Sequence, residues 1–316
     1  MCVILYTKIN GKKILVKNRD RAYKPEVKII HEIVNGIEVA YLKDESTGWI
    51  EGMNADGTGI LNSTLSSHDS KEPSKKLKKK GNVIYNSLIN NRSNKNFYDI
   101  INDAEKEYIL EGHTLLAHDD DIYHIENTLD NNFIAERLDK PSVYSNYGIR
   151  IKDAGYTKCI KGLSTFLRAD IMREELKENK IKSEDDLINL LNSNYVNIDP
   201  RFHPYRDKYY TIKKVKGLNP KKVKISTTGQ ILLNMTDKEF IYYTDINNSR
   251  KIEYYNRLPR EYVPKIRIII KETEKNLKNK RKVFTKKYLR NVYKRFQCKE
   301  TRRFLKRNKN FTRRNK

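Results

Sequence analysis

The chain has 316 residues, of which 37% are hydrophobic and 33% are charged, and its formal net charge at pH 7 is +25. It contains no apolar run near the ~20 residues of a membrane-spanning helix and no N-terminal pattern of a secretory signal, so we expect it not to be an integral membrane protein. Its three cysteines, Cys2, Cys159 and Cys298, are odd in number and widely spaced, which argues against a disulfide framework or a zinc motif and predicts a cytoplasmic location.

The first 66 residues are predicted to form strands joined by tight turns. A strand that starts at Cys2 runs to the turn Asn10-Gly11, and another pair of strands flanks Asn35-Gly36. Asn-Gly between two apolar runs favours a two-residue hairpin, because both residues tolerate the left-handed backbone that such a turn requires. A further hairpin is predicted over residues 49–65, around Ala55-Asp56-Gly57.

Helices and more strands are predicted beyond these hairpins. A lysine-rich loop at Ser66–Gly81 precedes two expected helices at Asn82–Asn90 and Asn96–Ile109, the second with apolar residues at a 3.6-residue period. Four strands, two helices and four strands are then expected, at His113–His118, Ile122–Glu126, Asn132–Arg137, Val143–Ser145, Leu163–Asn179, Glu184–Ser193, Tyr209–Val215, Val223–Thr227, Gln230–Asn234 and Glu239–Thr244. This order is typical of two packed sheets with helices outside them.

Positive charge is concentrated at the C-terminal end. Residues 251–316 contain 25 Lys and Arg against 5 Asp and Glu, a net charge of +20, whereas residues 1–250 contain 40 against 35, a net charge of +5. We therefore predict one domain over residues 1–250 and a basic extension over residues 251–316, partly helical around Val283–Phe296 and disordered at its end. Its interleaved aromatic residues suit nonspecific binding of nucleic acid or an anionic surface, although a solvated extension without a ligand fits as well.

Cys2 is the residue with the clearest chemical potential. Removal of Met1 would leave one residue with both a thiol and a free α-amine. An α-amine has a reference pKa of ~8 and can act as a general base near neutral pH, while the thiol is a strong nucleophile. Its position also fits a small apolar residue at the start of a buried strand, and both interpretations stay open.

Five short motifs, in the right order, resemble the cysteine branch of the N-terminal-nucleophile (Ntn) hydrolases over roughly residues 2–245. They are Cys2, Lys17-Asn18-Arg19-Asp20, Gly52-Met53-Asn54-Ala55-Asp56-Gly57, Ser145-Asn146 and Ser164-Thr165-Phe166-Leu167-Arg168. The branch includes penicillin V acylase, bile salt hydrolase, acid ceramidase-like amidases and acyl-CoA:6-aminopenicillanate acyltransferase. The resemblance implies an α+β fold, a four-layer αββα sandwich, and an amidohydrolase or acyltransferase that acts on a small-molecule N-acyl amide without a cofactor.

The resemblance also implies roles for single residues. Cys2 would be the nucleophile, Asp20 would hold it in place, and Asn146 would donate its side-chain amide to the oxyanion. Arg168 would orient the nucleophile, and the strand at Asn62–Thr64 would supply a second oxyanion donor. The substrate-binding residues expected are Lys17, Asn54, Asn62 and Thr64. Each of the motifs also fits an ordinary turn or a surface helix.

Two departures from the motif pattern bear on specificity. Lys17 stands where these enzymes have an arginine, and lysine keeps the charge but lacks the bidentate fork that recognises a carboxylate. Asn18-Arg19-Asp20-Arg21 also resembles the Asn-Arg-Asp-Glu family, whose chains start with Met-Cys, but Arg21 replaces its glutamate. The alternative function is a non-catalytic protein of the same fold that binds a polyanion through the basic extension.

A metal site is not predicted. His113, His118 and His124 flank the acidic run Asp119-Asp120-Asp121 in an expected hairpin. Because side chains alternate along a strand, His113 and His118, five residues apart, should face opposite sides. We therefore interpret the acidic run as the tip of the hairpin.

Overall fold

The computed structural model describes residues 2–21, 23–65, 83–90, 110–128, 133–151, 160–177, 181–192, 204, 209–213, 221–244 and 252–272. Their strands are β1 (Val3–Ile9), β2 (Lys12–Arg21), β3 (Val27–Val34), β4 (Ile37–Asp44), β5 (Trp49–Asn54), β6 (Gly59–Ser63), β7 (Gly112–His118), β8 (Asp121–Asn127), β9 (Phe133–Arg137), β10 (Ser142–Tyr144), β11 (Tyr209–Lys213), β12 (Lys221–Asn234), β13 (Glu239–Thr244), β14 (Glu253–Asn256) and β15 (Arg267–Glu272). Their helices are α1 (83–90), α2 (Ile160–Lys177) and α3 (Glu184–Leu191).

The strands form two sheets. The first has the order β10-β1-β2-β12-β13-β15, with β11 paired to β12. The second has the order β14-β3-β4-β5-β6-β7-β8-β9. Neighbours pair antiparallel except β13 with β15 and β14 with β3, which are parallel. Strands β1 and β2 therefore lie inside the first sheet, and Cys2 stands at the start of a central strand.

The two sheets pack face to face, and helices cover their outer faces. In β1, Ile4 and Tyr6 point into the core between the sheets, whereas Val3 and Leu5 point to the core under α2 and α3. Helix α1 packs on the outer face of the second sheet through residues such as Ile84. The order helix–sheet–sheet–helix is the four-layer arrangement that the motif resemblance implies.

Local sequence signals explain the tight turns. The turn residues Asn10 and Gly11 have φ values of 51° and 81°, and Asn35 and Gly36 have 54° and 76°. Asparagine and glycine accept this left-handed backbone at low cost, so both predicted hairpins are confirmed. At the start of α3, the side chain of Ser183 accepts from the backbone N–H of Asp186 in a capping box.

The structure differs from the predicted elements in two places. The runs around Val223–Thr227 and Gln230–Asn234 belong to one strand, β12, whose register with β2 shifts between Thr227 and Gln230. A bulge of this kind breaks the alternation of side chains, so the sequence reads as two strands. Residues 252–272, which the charge distribution assigns to the extension, add one edge strand to each sheet.

Residues 252–272 thus pair with strands of both sheets, while the domain boundary at residue 250 stays a prediction. Ile266 is 2% exposed between β14 and β15, and both strands are held by backbone pairing that a count of charges does not detect. The rest of the predicted extension, the loop at Ser66–Gly81 and the helix at Asn96–Ile109 lie outside the described residues. In the part of the chain that is described, no helix has the length and hydropathy to cross a membrane.

Candidate active site

Strand β2 carries buried polar side chains on both of its faces. Lys17 and Arg19 point toward the second sheet, where they meet carboxylates, while Asn18 and Asp20 point to the opposite face, toward the helices. This division follows from the alternation of side chains along a strand. Buried charges are costly unless they are paired, so the partners of this strand define the site.

Three cations of β2 share two buried carboxylates of the second sheet. The Lys17 ammonium donates to Glu51 and to the backbone carbonyl of Asn62. Arg19 lies 3.3 Å from Glu51 and 3.4 Å from Asp44, and Arg21 Nε lies 3.8 Å from Asp44. These ion pairs among the described residues thus leave one positive charge in excess.

The Cys2 thiol lies next to this excess charge. Cys2 is 4% exposed, and Arg21 Nη1 donates to its sulfur at 3.3 Å and to the carbonyl of Asp20 at 3.1 Å. Burial raises the pKa of the thiol, but the positive charges of Lys17, the chain N-terminus and Arg21 outweigh it and lower that pKa to about 7. The neighbouring positive charges therefore favour the nucleophilic thiolate over the neutral thiol.

Two serine hydroxyls hold the backbone of Cys2. Ser63 and Ser145 donate to the carbonyl oxygen of Cys2 at 3.2 and 3.1 Å. Ser63 accepts from Asn146 Nδ2 at 3.2 Å, and Ser145 accepts from Arg168 Nη2 at 3.3 Å. Because each hydroxyl has one proton, both protons are directed at the same carbonyl.

A buried ion pair joins β2 to helix α2. Arg168 Nη1 donates to Asp20 at 2.7 Å, and the Thr227 hydroxyl donates to the other oxygen of Asp20 at 2.8 Å. Arg168 Nη2 also donates to the side-chain oxygen of Asn146 at 3.5 Å. The bulge in β12 brings Thr227 opposite Asp20, as bulges beside functional sites often re-aim a side chain.

The structure brings the four expected catalytic residues together. Cys2, Asp20, Asn146 and Arg168 are all buried and are linked by the contacts described above. The Asp20 carboxylate contacts Arg168, and its backbone carbonyl lies 3.9 Å from the Cys2 sulfur. Asn146 Nδ2 donates to Ser63 and to the carbonyl of Thr64. Their catalytic roles stay predictions.

The expected substrate-binding residues fall into three settings. Thr64 is exposed next to Asn146, whereas Lys17 is buried against Glu51. The Asn62 side chain donates to Thr114 at 2.9 Å, inside the second sheet.

Asn54 belongs to the turn between β5 and β6. Its side-chain oxygen accepts from the backbone N–H groups of Asp56 and Thr58, and its nitrogen donates to the carbonyl of Leu88 in α1 at 2.8 Å. These contacts tie a turn to a helix, and none of the contacts described for Asn54 reaches Cys2.

Sequence reasoning missed three residues that contact Cys2. Ser145 stands in a motif but had no role of its own, and Arg21 was noted only as a departure from the Asn-Arg-Asp-Glu pattern. Ser63 lies in the strand expected to supply an oxyanion donor, and no local pattern marks it. The β1–β2 hairpin would have pointed to Arg21, because it returns the end of β2 to the start of β1.

A second buried polar cluster lies between β7, β8 and the segment after β10. His113, His124 and Glu126 offer ligand atoms within 4.8 Å of one another, which is close enough to hold a metal ion. The two histidines are 2.9 Å apart, however, and share a hydrogen bond. Glu126 accepts from the backbone N–H groups of residues 149, 150 and 151 at 2.9, 2.9 and 3.1 Å.

Comparison with known proteins gives only distant structural likenesses. No family model and no curated protein match the chain. A mutant of the conjugated bile acid hydrolase from Clostridium perfringens aligns with 84% of this chain and 100% of its own, at 14% identity and a TM-score of 0.45. A second variant of that enzyme aligns with 77% of this chain and 89% of its own, at 12% identity and a TM-score of 0.42. Bile salt hydrolases are among the enzymes that the motifs resemble, but likenesses at this level carry no argument about activity.

Proposed function

We propose that this chain is an amidohydrolase or acyltransferase that uses Cys2 as an N-terminal nucleophile on a non-peptide amide. The observation that carries the proposal is the Cys2 thiol itself, buried at the start of β1 with Arg21 Nη1 at 3.3 Å and with a pKa lowered to about 7. Perturbed thiols beside cations are typical of catalytic cysteines. The choice of an amide substrate follows from the motif resemblance.

The first half of the reaction forms a thioester. After removal of Met1, the α-amine of Cys2 takes the thiol proton, and the sulfur attacks the carbonyl carbon of an N-acyl amide. The C=O bond opens to a tetrahedral oxyanion. When that oxyanion collapses, the C–N bond breaks, the α-ammonium gives its proton to the leaving amine, and the acyl group stays on sulfur.

The second half returns the thiol. Water attacks the thioester while the α-amine takes its proton, the C–S bond breaks to release a carboxylic acid, and the α-ammonium returns that proton to the sulfur. If an amine takes the place of water, the product is a new amide, and the same residues perform acyl transfer. The chain's own groups supply each proton in this scheme, so it needs no cofactor.

The residues around Cys2 have separate roles in this proposal. Arg21 stabilises the thiolate, and the two serines fix the peptide group of Cys2. Asn146 supplies an oxyanion donor by exchanging one of its present acceptors, Ser63 or the carbonyl of Thr64, for the substrate oxygen. Arg168, held by its ion pair with Asp20, orients Asn146 by donating to its side-chain oxygen. Asp20 is also the expected partner of the freed α-amine.

The charge of residues 251–316 favours a second candidate function. A segment with 25 Lys and Arg against 5 Asp and Glu suits nonspecific binding of nucleic acid or an anionic surface. This function is independent of Cys2 and is compatible with catalysis in the same chain.

Intact mass spectrometry after incubation with a panel of N-acyl amides tests the catalytic proposal. One spectrum reports both the loss of Met1 and an acyl adduct, and the expected result is a chain that starts at Cys2 and gains an acyl mass. Cys2→Ala is the matched control and should gain none. An adduct that persists in Cys2→Ala, or retention of Met1 on active molecules, would contradict the proposal.

A further inference from the structure

Two buried histidines contact both ends of the segment that carries Ser145 and Asn146. His113 Nε2 lies 2.7 Å from the carbonyl oxygen of Tyr147, directly after that segment. The ring of His124 stacks on the ring of Tyr144, directly before it, with 3.6 Å between centroids and an angle of 11° between planes. His113 Nδ1 and His124 Nε2 are joined at 2.9 Å. The four residues from 144 to 147 are therefore held at each end by one histidine pair.

The contacts with Tyr147 and between the rings place one proton on the Nε2 of each ring. A carbonyl oxygen only accepts, so His113 carries its proton on Nε2, and a neutral His113 then has a lone pair on Nδ1. His124 must accordingly carry its proton on Nε2 and direct it at His113. His124 Nδ1 lies 3.3 Å from Glu136, a carboxylate whose other oxygen accepts from Arg150 at 2.6 Å, so Glu136 would accept a second proton of His124 if that ring were charged.

The surroundings keep both rings neutral. Burial lowers the pKa of His113, with Glu126 raising it and Arg173 lowering it further. Burial, His113 and Arg150 lower the pKa of His124 to about 2. His113 in particular must be neutral, since a proton on its Nδ1 would face the proton on His124 Nε2.

We propose that His113 and His124 are positioning residues that hold Asn146 and Ser145 in register with Cys2 through Tyr147 and Tyr144. The inference rests on the proposed function for its consequence in catalysis, but not for the structural hold itself. Ser145 and Asn146 lie beyond the last residue of β10, where no continuous strand pairing holds them. The histidine pair therefore supplies support from the second sheet, through β7 and β8.

A metal ion would compete for the same atoms, and the geometry favours the hydrogen bond. Two ring nitrogens bound to one tetrahedral zinc at ~2.0–2.1 Å would stand about 3.3 Å apart. The observed separation of 2.9 Å is that of an N–H···N hydrogen bond. Glu126, the third member of the cluster, already accepts three backbone N–H groups.

The first test is a long-range ¹H–¹⁵N spectrum of the histidine rings in the unmodified full chain. We expect His113 and His124 to carry their protons on Nε2 and to keep them there between about pH 5 and 8. The signals are assigned with His113→Gln and His124→Gln. A proton on Nδ1 of His113, loss of the proton from Nε2 of either ring within this range, or zinc bound in one equivalent with both facing nitrogens unprotonated would overturn the inference.

The second test uses the side-chain amide signals of Asn146 and the rate of turnover. His113→Leu removes the donor to Tyr147 and should shift the Asn146 signals and lower kcat by about 10²-fold, with KM little changed, because misplacement of a catalytic group costs that much. His113→Gln keeps a side-chain N–H, so its Asn146 signals and its kcat should both be close to those of the unmodified protein. The control is His118→Leu, in the same strand but outside the pair, which should change neither.

The two proposals fail in different ways. If the unmodified protein has no turnover but Asn146 responds as expected, the proposed function is wrong and the hold on the segment stands. If the Asn146 signals are the same in His113→Leu as in the unmodified protein, the inference is overturned whatever the turnover. If His113→Leu fails to fold, the proton positions measured in the unmodified chain still test the inference about the histidine pair.

Discussion

Arg21 Nη1 donates to the sulfur of Cys2 at 3.3 Å, and the same nitrogen donates to the carbonyl of Asp20 at 3.1 Å. One guanidinium thus stabilises the thiolate and at the same time fixes the end of β2 beside the start of β1. The Arg21–Cys2 contact gives the most direct prediction about the thiol.

Arg21→Met should raise the pKa of the Cys2 thiol above its value of about 7, because a positive charge beside the thiolate is removed. Alkylation by iodoacetamide follows the thiolate, so its rate at pH 7 should fall and its pH midpoint should move up. Arg21→Lys should shift the midpoint less. Arg150→Met is the matched control, an arginine that is paired with Glu136 at 2.6 Å and makes no described contact with Cys2. An unchanged midpoint in Arg21→Met would show that this contact does not set the thiol pKa.

Cys2→Ala should abolish turnover of an N-acyl amide, and Cys2→Ser should leave little, because an alcohol is a far weaker nucleophile than a thiolate. Both variants should keep the fold, since each side chain is small. Cys159→Ala and Cys298→Ser are the controls and should retain activity. Steady-state kinetics check this, and turnover in Cys2→Ala would rule out the thioester mechanism.

Breaking the buried Asp20–Arg168 pair should destabilise the protein strongly. Arg168→Met removes the ion-pair partner of the buried Asp20 carboxylate, and such a loss typically costs ~3–5 kcal/mol of unfolding free energy. The double variant Asp20→Asn with Arg168→Met should lose less unfolding free energy than the sum of the losses in the two single variants. The reason is that neither charge of this pair is then left without the other.

The exposed pair Glu174–Lys177 on the same helix provides the control for this measurement. Its atoms are 3.0 Å apart at the surface, and Lys177→Met should cost less than ~1 kcal/mol. Urea unfolding of these four variants and the unmodified protein measures both effects. Equal losses in Arg168→Met and Lys177→Met would mean that the buried pair does not stabilise the fold.

Ser63→Ala and Ser145→Ala should each loosen the Cys2 carbonyl, at ~1 kcal/mol of stability for each hydrogen bond lost. The double variant leaves that carbonyl without either hydroxyl donor and should lower kcat more than the product of the two single effects. Threonine at either position keeps the hydroxyl and should restore activity. A double variant with the kcat of the unmodified enzyme would exclude the serines from positioning Cys2.

Deletion of residues 273–316 should spare the fold and weaken binding to polyanions. The deletion begins directly after β15, so all the described strands are kept. The deleted residues 273–316 carry 19 Lys and Arg against 2 Asp and Glu. Binding of the full chain to duplex DNA should weaken with salt, with a log–log slope of about −0.9 for each phosphate neutralised, and should depend little on base sequence. Equal affinity of the two proteins would locate the electrostatic element elsewhere.

Deletion of residues 251–316 tests the boundary of the body. It removes β14 and β15 and with them one edge strand from each sheet, so the unfolding free energy should fall well below that of the shorter deletion. Glu38 would lose the backbone N–H groups of Lys265 and Ile266, which it accepts at 2.8 Å each. Equal unfolding free energies of the two deletion proteins would support the domain boundary that the charges predict at residue 250.

Features that depend on neighbours in sequence could be read without a structure. Asn10-Gly11 and Asn35-Gly36 predict their hairpins because the backbone preference belongs to those residues alone, and the alternation of apolar residues identifies the strands. The same applies to the chemistry of Cys2, which follows from its place after Met1. The motif resemblance assigned catalytic roles to Cys2, Asp20, Asn146 and Arg168; the structure places these residues close together, and their roles stay predictions.

Features that depend on pairing between distant segments were decided by tertiary structure. Ser63 and Ser145 are far apart in the chain, and only the packing of both sheets brings their hydroxyls to one carbonyl. Arg19 and Lys17 have ordinary sequence surroundings, yet carboxylates of the second sheet neutralise them. Residues 252–272 look like part of a basic tail, because pairing at a sheet edge depends on a partner strand that local composition does not reveal.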